Sequence, residues 1–397
     1  MNKAEKFVAE HCGRTFLSLW SYPNPMAKPG KELCDCLVVC DPDVIVLSVK
    51  EIAVTESGDL RTDWDRWRRR AIDASVKQIY GAERALKKAS HVSTRDGAKG
   101  LPLPDAAVRK THRIAVALGG HGKVPLTSGD FGKGFVHVLD ERSFAVILAE
   151  LDTVTDFVEY LRAKESFLQG KTHVYLEGGG EEDLLAFYLS KGRCFPTETD
   201  MLWLGPELWT TFSSDLPYRR KKDADKQSYV WDRMIEEFCE CEREGTLLGN
   251  SELANMEQAI RTMAREDRFA RRILAKTFLD FLAASKRKEV RARLCQSPHG
   301  TPYVFLACAK GTSREARVKE LNLRCFVARD KNPDQPTVIG IATERPDQKG
   351  HSLDLVFLHR PEWTEESAAQ AQQIQRKLGY FASPRVPRSG EDEYPEA

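Results

Sequence analysis

The spacing of apolar and polar positions changes several times along the chain, and each change marks a predicted element. Residues 2–12 read as a short helix with Phe7 and Val8 on its apolar side, and Phe16–Trp20 reads as a strand. Proline and glycine then make a loop of Ser21–Gly30. Leu33–Cys40 and Val44–Ile52 are β-rich runs joined by Asp41-Pro42-Asp43, a tight-turn sequence between antiparallel strands. From Thr62 to about Lys88 the period becomes helical, with Trp64, Trp67, Ala71, Val76, Ile79, Ala82 and Leu86 mainly along one face. A loop over Asp96–Asp105 precedes a strand at His112–Leu118, and Phe144–Leu148 reads as another strand. Thr153-Val154-Thr155-Asp156 has the form of a capped helix start, leading into Phe157–Leu168.

The second half opens with a strand at His173–Leu176. Gly178-Gly179-Gly180 follows, then an acidic helix start, Glu181-Glu182-Asp183, before Leu184–Leu189. Tyr218–Asp223 is a charged break, read as a linker or exposed loop. Residues 228–243 and 252–294 read as helical. Tyr303–Ala307, Leu323–Ala328, Val338–Thr343 and Leu353–Leu358 read as strands, and Glu365–Leu378 as a helix. The Pro-rich, charged end, 383–397, reads as frayed. The whole is an α/β chain with no internal repeat.

Its 397 residues allow two domains or three, and 41% apolar with 30% charged residues is a globular balance. A net charge of +1 gives no global sign of nucleic acid, so any basic surface is local. No stretch approaches the roughly 18 to 20 apolar residues of a membrane span, and Met1–Lys6 lacks the apolar core of a secretory signal. Ten cysteines, several in apolar runs, suit reduced, buried thiols in a cytoplasmic protein.

The residues that carry chemistry lie in the two β-rich runs. Asp35, flanked by Cys34 and Cys36, falls inside the first run, and Lys50 near the end of the second. Period 2 puts Ser48 and Lys50 on one face of the second strand and Val49 on the other. A carboxylate and an ammonium among apolar neighbours are costly to bury alone, and both become intelligible if they meet at one site. Phosphodiester hydrolysis needs such a site: carboxylates hold Mg²⁺, a hard ion that polarises phosphate and acidifies a bound water, and a nearby ammonium positions that water or stabilises charge. An ordinary α/β domain with a buried Asp35–Lys50 ion pair fits the same pattern.

This segment resembles the PD-(D/E)xK, or restriction-endonuclease-like, nuclease superfamily: an aspartate on one core strand, a hairpin, then (D/E)-x-K on the next. Asp35 matches the aspartate and Val49-Lys50 the x-K. The first-helix glutamate is Glu5 or Glu10, with Glu5 favoured because it stands eleven residues before Phe16. Helix 62–88 takes the place of the helix that follows the motif, and Gln78 resembles the glutamine some members present to the site or the DNA backbone. Ser48 stands where the motif has its second carboxylate, which puts activity rather than fold in question. The resemblance covers roughly residues 1–170. It implies a restriction-endonuclease-like mixed sheet flanked by helices, Mg²⁺ or Mn²⁺ held by Asp35, Glu5 and the Val49 carbonyl, Lys50 assisting the attacking water, and Ser48 completing the site. It further implies an endonuclease hydrolysing DNA, in bacterial defence or repair. The alternative is a catalytically weak or inactive nuclease-fold module that binds nucleic acid or assembles with partners; a third option is a defence effector acting on a small metabolite.

Other features bear on partners. Residues 61–88 hold nine Lys or Arg against four acids; beside the proposed site, Arg68, Arg69, Lys77 and Gln78 suit a phosphate backbone, although a solvated basic face reads the same way. Cys34, Cys36 and Cys40 have no matching Cys or His pair at finger spacing and read as thiols on the face opposite Asp35, not a zinc site. Gly178–Gly180 lacks a P-loop lysine and precedes three acids, so it reads as a turn. His121 and His137, in or near Gly-rich connections, read as structural or reactive. Residues 171–397 form a second, helix-rich α/β domain, helical over about 228–294, through which a second copy or a partner protein is expected to bind.

Overall fold

The computed structural model describes residues 1–55, 57–123, 126–178, 180–243, 253–287, 291–309, 311–345, 352–382 and 391–395; the side chains of 242–243 and 253–255 are outside this description. The chain divides into two compact units, Met1–Arg219 and Arg220–Ala397. Among the described residues no helix is long and apolar enough to cross a membrane.

The first unit begins with α1 (Lys3–Phe16), β1 (Ser21–Pro23), a small ribbon of β2 (Met26–Lys28) and β3 (Lys31–Glu32), and the hairpin β4 (Cys36–Cys40) and β5 (Asp43–Glu51). Then follow α2 (Leu60–Arg68), a π-helical turn (Arg69–Asp73), α3 (Ala74–Leu86), a ribbon of β6 (His91–Ser93) and β7 (Lys99–Pro102), β8 (Lys110–Leu118), β9 (Gly129–Asp130) and β10 (Phe135–Leu139). Six strands form one mixed sheet in the order β1-β4-β5-β8-β10-β9. β5, β8 and β10 run parallel; β1, β4 and β9 join them antiparallel.

Alternation along these strands sends Leu37, Val39, Val44, Val46, Ala115, Ala117, Val136 and Val138 to one face. There they close a core with Trp67, Ala71, Ile72, Val76 and Ile79 of the α2–α3 segment. The opposite face is covered by α1, α4 (Glu141–Glu150) and α5 (Val154–Leu168), with Phe16 edge-on to Phe157. The unit is completed by β11 (His173–Leu176), α6 (Glu181–Ser190), β12 (Met201–Leu204) and α7 (Leu208–Ser214), with β11 and β12 paired in parallel.

The first unit therefore runs past 170. The reason is polar as well as apolar: Glu181 at the start of α6 pairs with the fully buried Lys164 (2.5 Å) and accepts from Tyr160 (2.8 Å), while Glu182 accepts from Ser143 (2.7 Å). These groups are satisfied only with α6 against α4 and α5.

In the second unit, α8 (Leu216–Asp225) spans the boundary and is followed by α9 (Tyr229–Arg243), α10 (Leu253–Ala264), α11 (Arg268–Lys286), β13 (Ala292–Gln296), β14 (Pro302–Cys308), α12 (Arg314–Lys331), β15 (Thr337–Glu344), β16 (Leu353–His359) and α13 (Glu365–Leu378). The sheet order is β13-β14-β15-β16, with β14 and β15 parallel and both edges antiparallel. α12 packs on one face through Val318, Leu321, Cys325 and Ala328. Trp231, Phe278 and Phe281 pack on Phe305 of the other. α12 packs closely over Gly340, where a Cβ would lie 2.6 Å from the Cys325 sulfur.

Several elements differ from the sequence reading. α1 extends through Phe16, and Leu17–Trp20 form a turn, not a strand. Phe144–Leu148 is helical: Asp140 caps α4 by accepting from the Ser143 amide (2.8 Å), and Phe144, Ile147 and Leu148 share its buried face. Tyr218–Asp223 lies in α8, where Tyr218 donates to Glu150 (2.8 Å). Leu323–Ala328 lies in α12, capped by Ser313, because its apolar residues extend a helical face that starts at Val318. The helical stretch ends at Lys286 and resumes as strand β13. Of the tail, 383–390 lie outside the described residues, while the buried Arg272 donates to the carbonyls of Asp392 (2.6 Å) and Glu393 (3.2 Å), so that segment is tied down.

Candidate functional site

The even-numbered positions of β5 face α3, so Val44 and Val46 enter the core while Ser48 and Lys50 reach its rim, opposite Gln78. Asp35 precedes β4 rather than lying within it, but its amide still donates to the Leu47 carbonyl (3.2 Å). That bond fixes the carboxylate, which is 4% exposed, beside β5. Oδ2 accepts from the Val49 amide at 2.6 Å and lies 3.6 Å from Lys50 Nζ. Oδ1 accepts weakly from Gln78 Nε2 at 3.4 Å. Gln78 Oε1 in turn accepts from Ser48 Oγ and from Lys50 Nζ, both at 2.9 Å, and Lys50 Nζ also donates to the Val49 carbonyl at 3.1 Å.

Thus Asp35, Ser48, Lys50 and Gln78 converge. Asp35 and Ser48 are buried, whereas the Lys50 side chain is 33% exposed, so the ion pair opens to solvent on its cationic side. The π-helical turn between α2 and α3 adds a residue to one turn and re-aims the helix that carries Gln78. Trp67, 1% exposed, anchors that segment by donating its indole N–H to the Ile52 carbonyl at 2.8 Å.

Glu5 sits at the edge of this cluster, its carboxylate engaged by Asn2 and Asn24. It is the N3 partner of a capping box on α1: its oxygens accept from the Asn2 amide (3.0 Å), Asn2 Nδ2 (2.7 Å) and Asn24 Nδ2 (3.2 Å). Its spacing from a strand at Phe16 does not apply, since α1 occupies that position.

Two residues near this cluster were not read as site residues: Asn24 lay in the predicted loop and Glu32 in no predicted element. Asn24, between two prolines, adopts a left-handed backbone (φ 46°) and donates its amide to the Asp35 carbonyl at 3.0 Å. Its side chain is buried, and its Oδ1 has no hydrogen-bond partner. Glu32 ends β3, three residues before Asp35. Partial desolvation raises the carboxyl of the exposed Glu32 above the ordinary range; the Asn24 side chain opposes this, and the charges of Asp35 and Glu5 add to it. Pro23-Asn24-Pro25 and a glutamate three residues before Asp35 were the available signals.

The basic helix is partly self-engaged. Arg68 pairs with Asp73 (3.7 Å) and lies over the Trp64 ring (5.3 Å), and Arg69 donates to the Asp65 carbonyl (3.2 Å). Lys77 is exposed, one residue from Gln78. Cys34 joins the core facing α3 rather than the opposite face, because the chain before Cys36 is not in strand alternation. The ten cysteines are thiols, not disulfides, and burial pushes the Cys34 thiol well up. Gly178 and Gly180 flank α6's start, where Asp183 accepts from the Gly180 amide (2.8 Å); Gly179 lies outside the described residues. His137 is buried and held well below its usual range by desolvation, whereas the Asp140 hydrogen bond raises His121.

Among the described residues no group of three or more His, Cys, Asp or Glu is gathered as a metal cage. No protein-family model, curated protein or solved structure matches the chain.

Proposed function

We propose that the first unit is a metal-dependent nuclease of restriction-endonuclease-like build, hydrolysing phosphodiester bonds in DNA. The observation that carries this reading is the convergence of Asp35 and Lys50 at one rim of the sheet, 3.6 Å apart and open to solvent through Lys50. The donors that would hold a divalent ion are the buried Asp35 carboxylate and the Val49 peptide carbonyl, both hard oxygens. When bound, Mg²⁺ or Mn²⁺ supplies polarisation of the phosphate and a water acidic enough to attack it.

The chain's own residues do the rest. Asp35 is aimed by the Val49 amide and by Gln78, so its geometry is set before substrate arrives. Lys50, held by the Gln78 and Val49 oxygens, would supply the ammonium that positions an attacking water or offsets charge on the phosphate. Gln78, Lys77, Arg68 and Arg69, carried by the same helical segment, are the residues that would meet the phosphate backbone. Ser48 favours a second reading, a nuclease-fold module that binds DNA without cutting it. Its hydroxyl has no exposed surface and is spent on Gln78, so it contributes no charge to an ion.

Incubation of the full chain with supercoiled plasmid and Mg²⁺ or Mn²⁺ separates the two. The nuclease reading expects cleavage that EDTA stops and that Asp35→Ala and Lys50→Ala abolish with circular dichroism unchanged. Nicking of equal rate by wild type and Lys50→Ala marks a contaminant and ends that reading. Retention of plasmid in a gel-shift assay without any cleavage selects the binding module.

A further inference from the structure

We infer that the outer edge of β11 is the contact through which two copies of this chain associate, the two strands running antiparallel about a dyad at Val174. The inference goes beyond the nuclease reading and does not rest on it, since association and cleavage are measured separately.

The starting point is an incomplete sheet. β11 and β12 run parallel, and among the described residues neither has a further strand neighbour. Parallel strands are ordinarily covered on both faces, and two strands alone are marginal in water. Here one face is covered: Val174, Leu202 and Leu204 pack with Phe167, Leu184 and Phe195. The other face is open. Tyr175, 47% exposed, stacks on Trp203, 59% exposed, with ring centroids 5.6 Å apart. With Met201 and Leu176 they make four of the ten exposed large apolar side chains among the described residues, gathered on two four-residue strands. Apolar surface so concentrated marks a contact.

Backbone geometry shows what can pair there. The amides of His173 and Glu177 donate to the Asp200 and Leu204 carbonyls, both at 2.9 Å. Alternation therefore turns the N–H and C=O groups of Thr172, Val174 and Leu176 to the outer edge. An antiparallel copy centred on Val174 sets 174 opposite 174 and 172 opposite 176, so every outward group meets an outward group.

Charge selects the occupant and the edge. The same register sets Lys171 opposite Glu177 of the partner subunit, twice by symmetry, and His173 opposite Tyr175 of the partner subunit. Lys171, His173, Tyr175 and Glu177 are all exposed. Glu177 Oε2 accepts from the Trp203 indole at 2.8 Å, which holds the carboxylate on the open face and leaves Oε1 to the lysine. β12 offers no such match. Glu198 and Asp200 precede it, Glu207 follows it, and no base stands between 197 and 207. A copy paired antiparallel on β12 would bring acid toward acid, which blocks an edge.

Sedimentation of the full chain over a range of concentrations tests the contact. Wild type is expected to dimerise reversibly. Lys171→Glu and Glu177→Lys should each weaken the dimer about tenfold or more, because each sets like charges opposite one another at both ends of the pairing. The double variant Lys171→Glu/Glu177→Lys restores opposite charges and should return to within about threefold of wild type. A purely structural role for either residue, such as the Glu177 bond to Trp203, predicts no such recovery. Val174→Pro removes an outward N–H and none that β12 uses, so it should dissociate the dimer with circular dichroism unchanged. Wild type that stays monomeric at every concentration overturns the inference. So does a dimer that the single charge reversals leave intact, or one that the double variant fails to restore. None of these outcomes changes the plasmid test of the nuclease reading.

Discussion

Gln78 has one amide and three demands on it. Its oxygen accepts from Ser48 and Lys50, and its nitrogen leans toward Asp35. Lys50 is one-third exposed and can turn to water if the oxygen is lost, but Ser48 has no exposed surface and cannot. Gln78→Leu, which keeps bulk and removes the acceptor, should therefore cost about 1–3 kcal/mol, mostly through the stranded hydroxyl. In the Ser48→Ala background the same change should cost less, with a coupling of about 1 kcal/mol between the two positions, measured by urea unfolding in a double-mutant cycle. Strict additivity would mean the bond contributes nothing. At this scale the sequence was legible where backbone periodicity alone decides: Ser48 and Lys50 share a face because two residues make one strand repeat. Asn24 and Glu32 were not legible, because a short irregular ribbon, not a repeat, delivers them.

The elements that read well were those whose pattern lasted. The long helical period of residues 62–88 became α2, the π turn and α3, and the two β-rich runs became the β4–β5 hairpin in antiparallel register. Two of those that failed were short apolar runs. Phe144–Leu148 and Leu323–Ala328 are each too brief to show whether they repeat every two residues or every 3.6, and in both a capping side chain upstream, Asp140 or Ser313, decides for helix. The α2–α3 segment also carries a stability prediction. Trp67 fills the core between the π turn and the sheet and is bonded to Ile52 through its indole. Trp67→Ala removes a fully buried ring and strands the Ile52 carbonyl, so it should destabilise the first unit by about 3–5 kcal/mol in denaturant unfolding. A loss below about 1 kcal/mol would show that this segment does not hold the helix onto the sheet. Trp67→Phe, which keeps most of the volume, should recover much of the loss.

At the scale of the molecule, two units with separate cores should respond differently to pH, and the second has a specific cause. Glu266, 2% exposed, accepts from Tyr303 Oη at 3.0 Å through Oε1, while Oε2 is buried with no partner. Burial pushes its carboxyl up to about 7, against the lowering effects of Ser297, Tyr303 and His299, with Asp267 adding to the rise. Arg271 turns its Nε to the Glu266 backbone carbonyl (2.9 Å) and its Nη1 to Asp232 (2.6 Å). A folded-state value above the unfolded one means that the folded unit holds the proton more tightly. Its stabilising effect is fully present below the unfolded value near 4.5 and is lost as pH rises through about 7. The difference across that window is on the order of 3 kcal/mol. Glu266→Gln keeps the shape without the titrating proton, so its stability relative to wild type should rise between pH 5 and pH 8 and level off above. Denaturant unfolding at each pH gives the size of the effect, and hydrogen exchange on peptides from α11 and β14 places it in the second unit. If the difference between variant and wild type is the same at pH 5 and pH 8, the proton on Glu266 is not what ties this unit's stability to pH, and its buried Oε2 must be satisfied in some way that does not titrate.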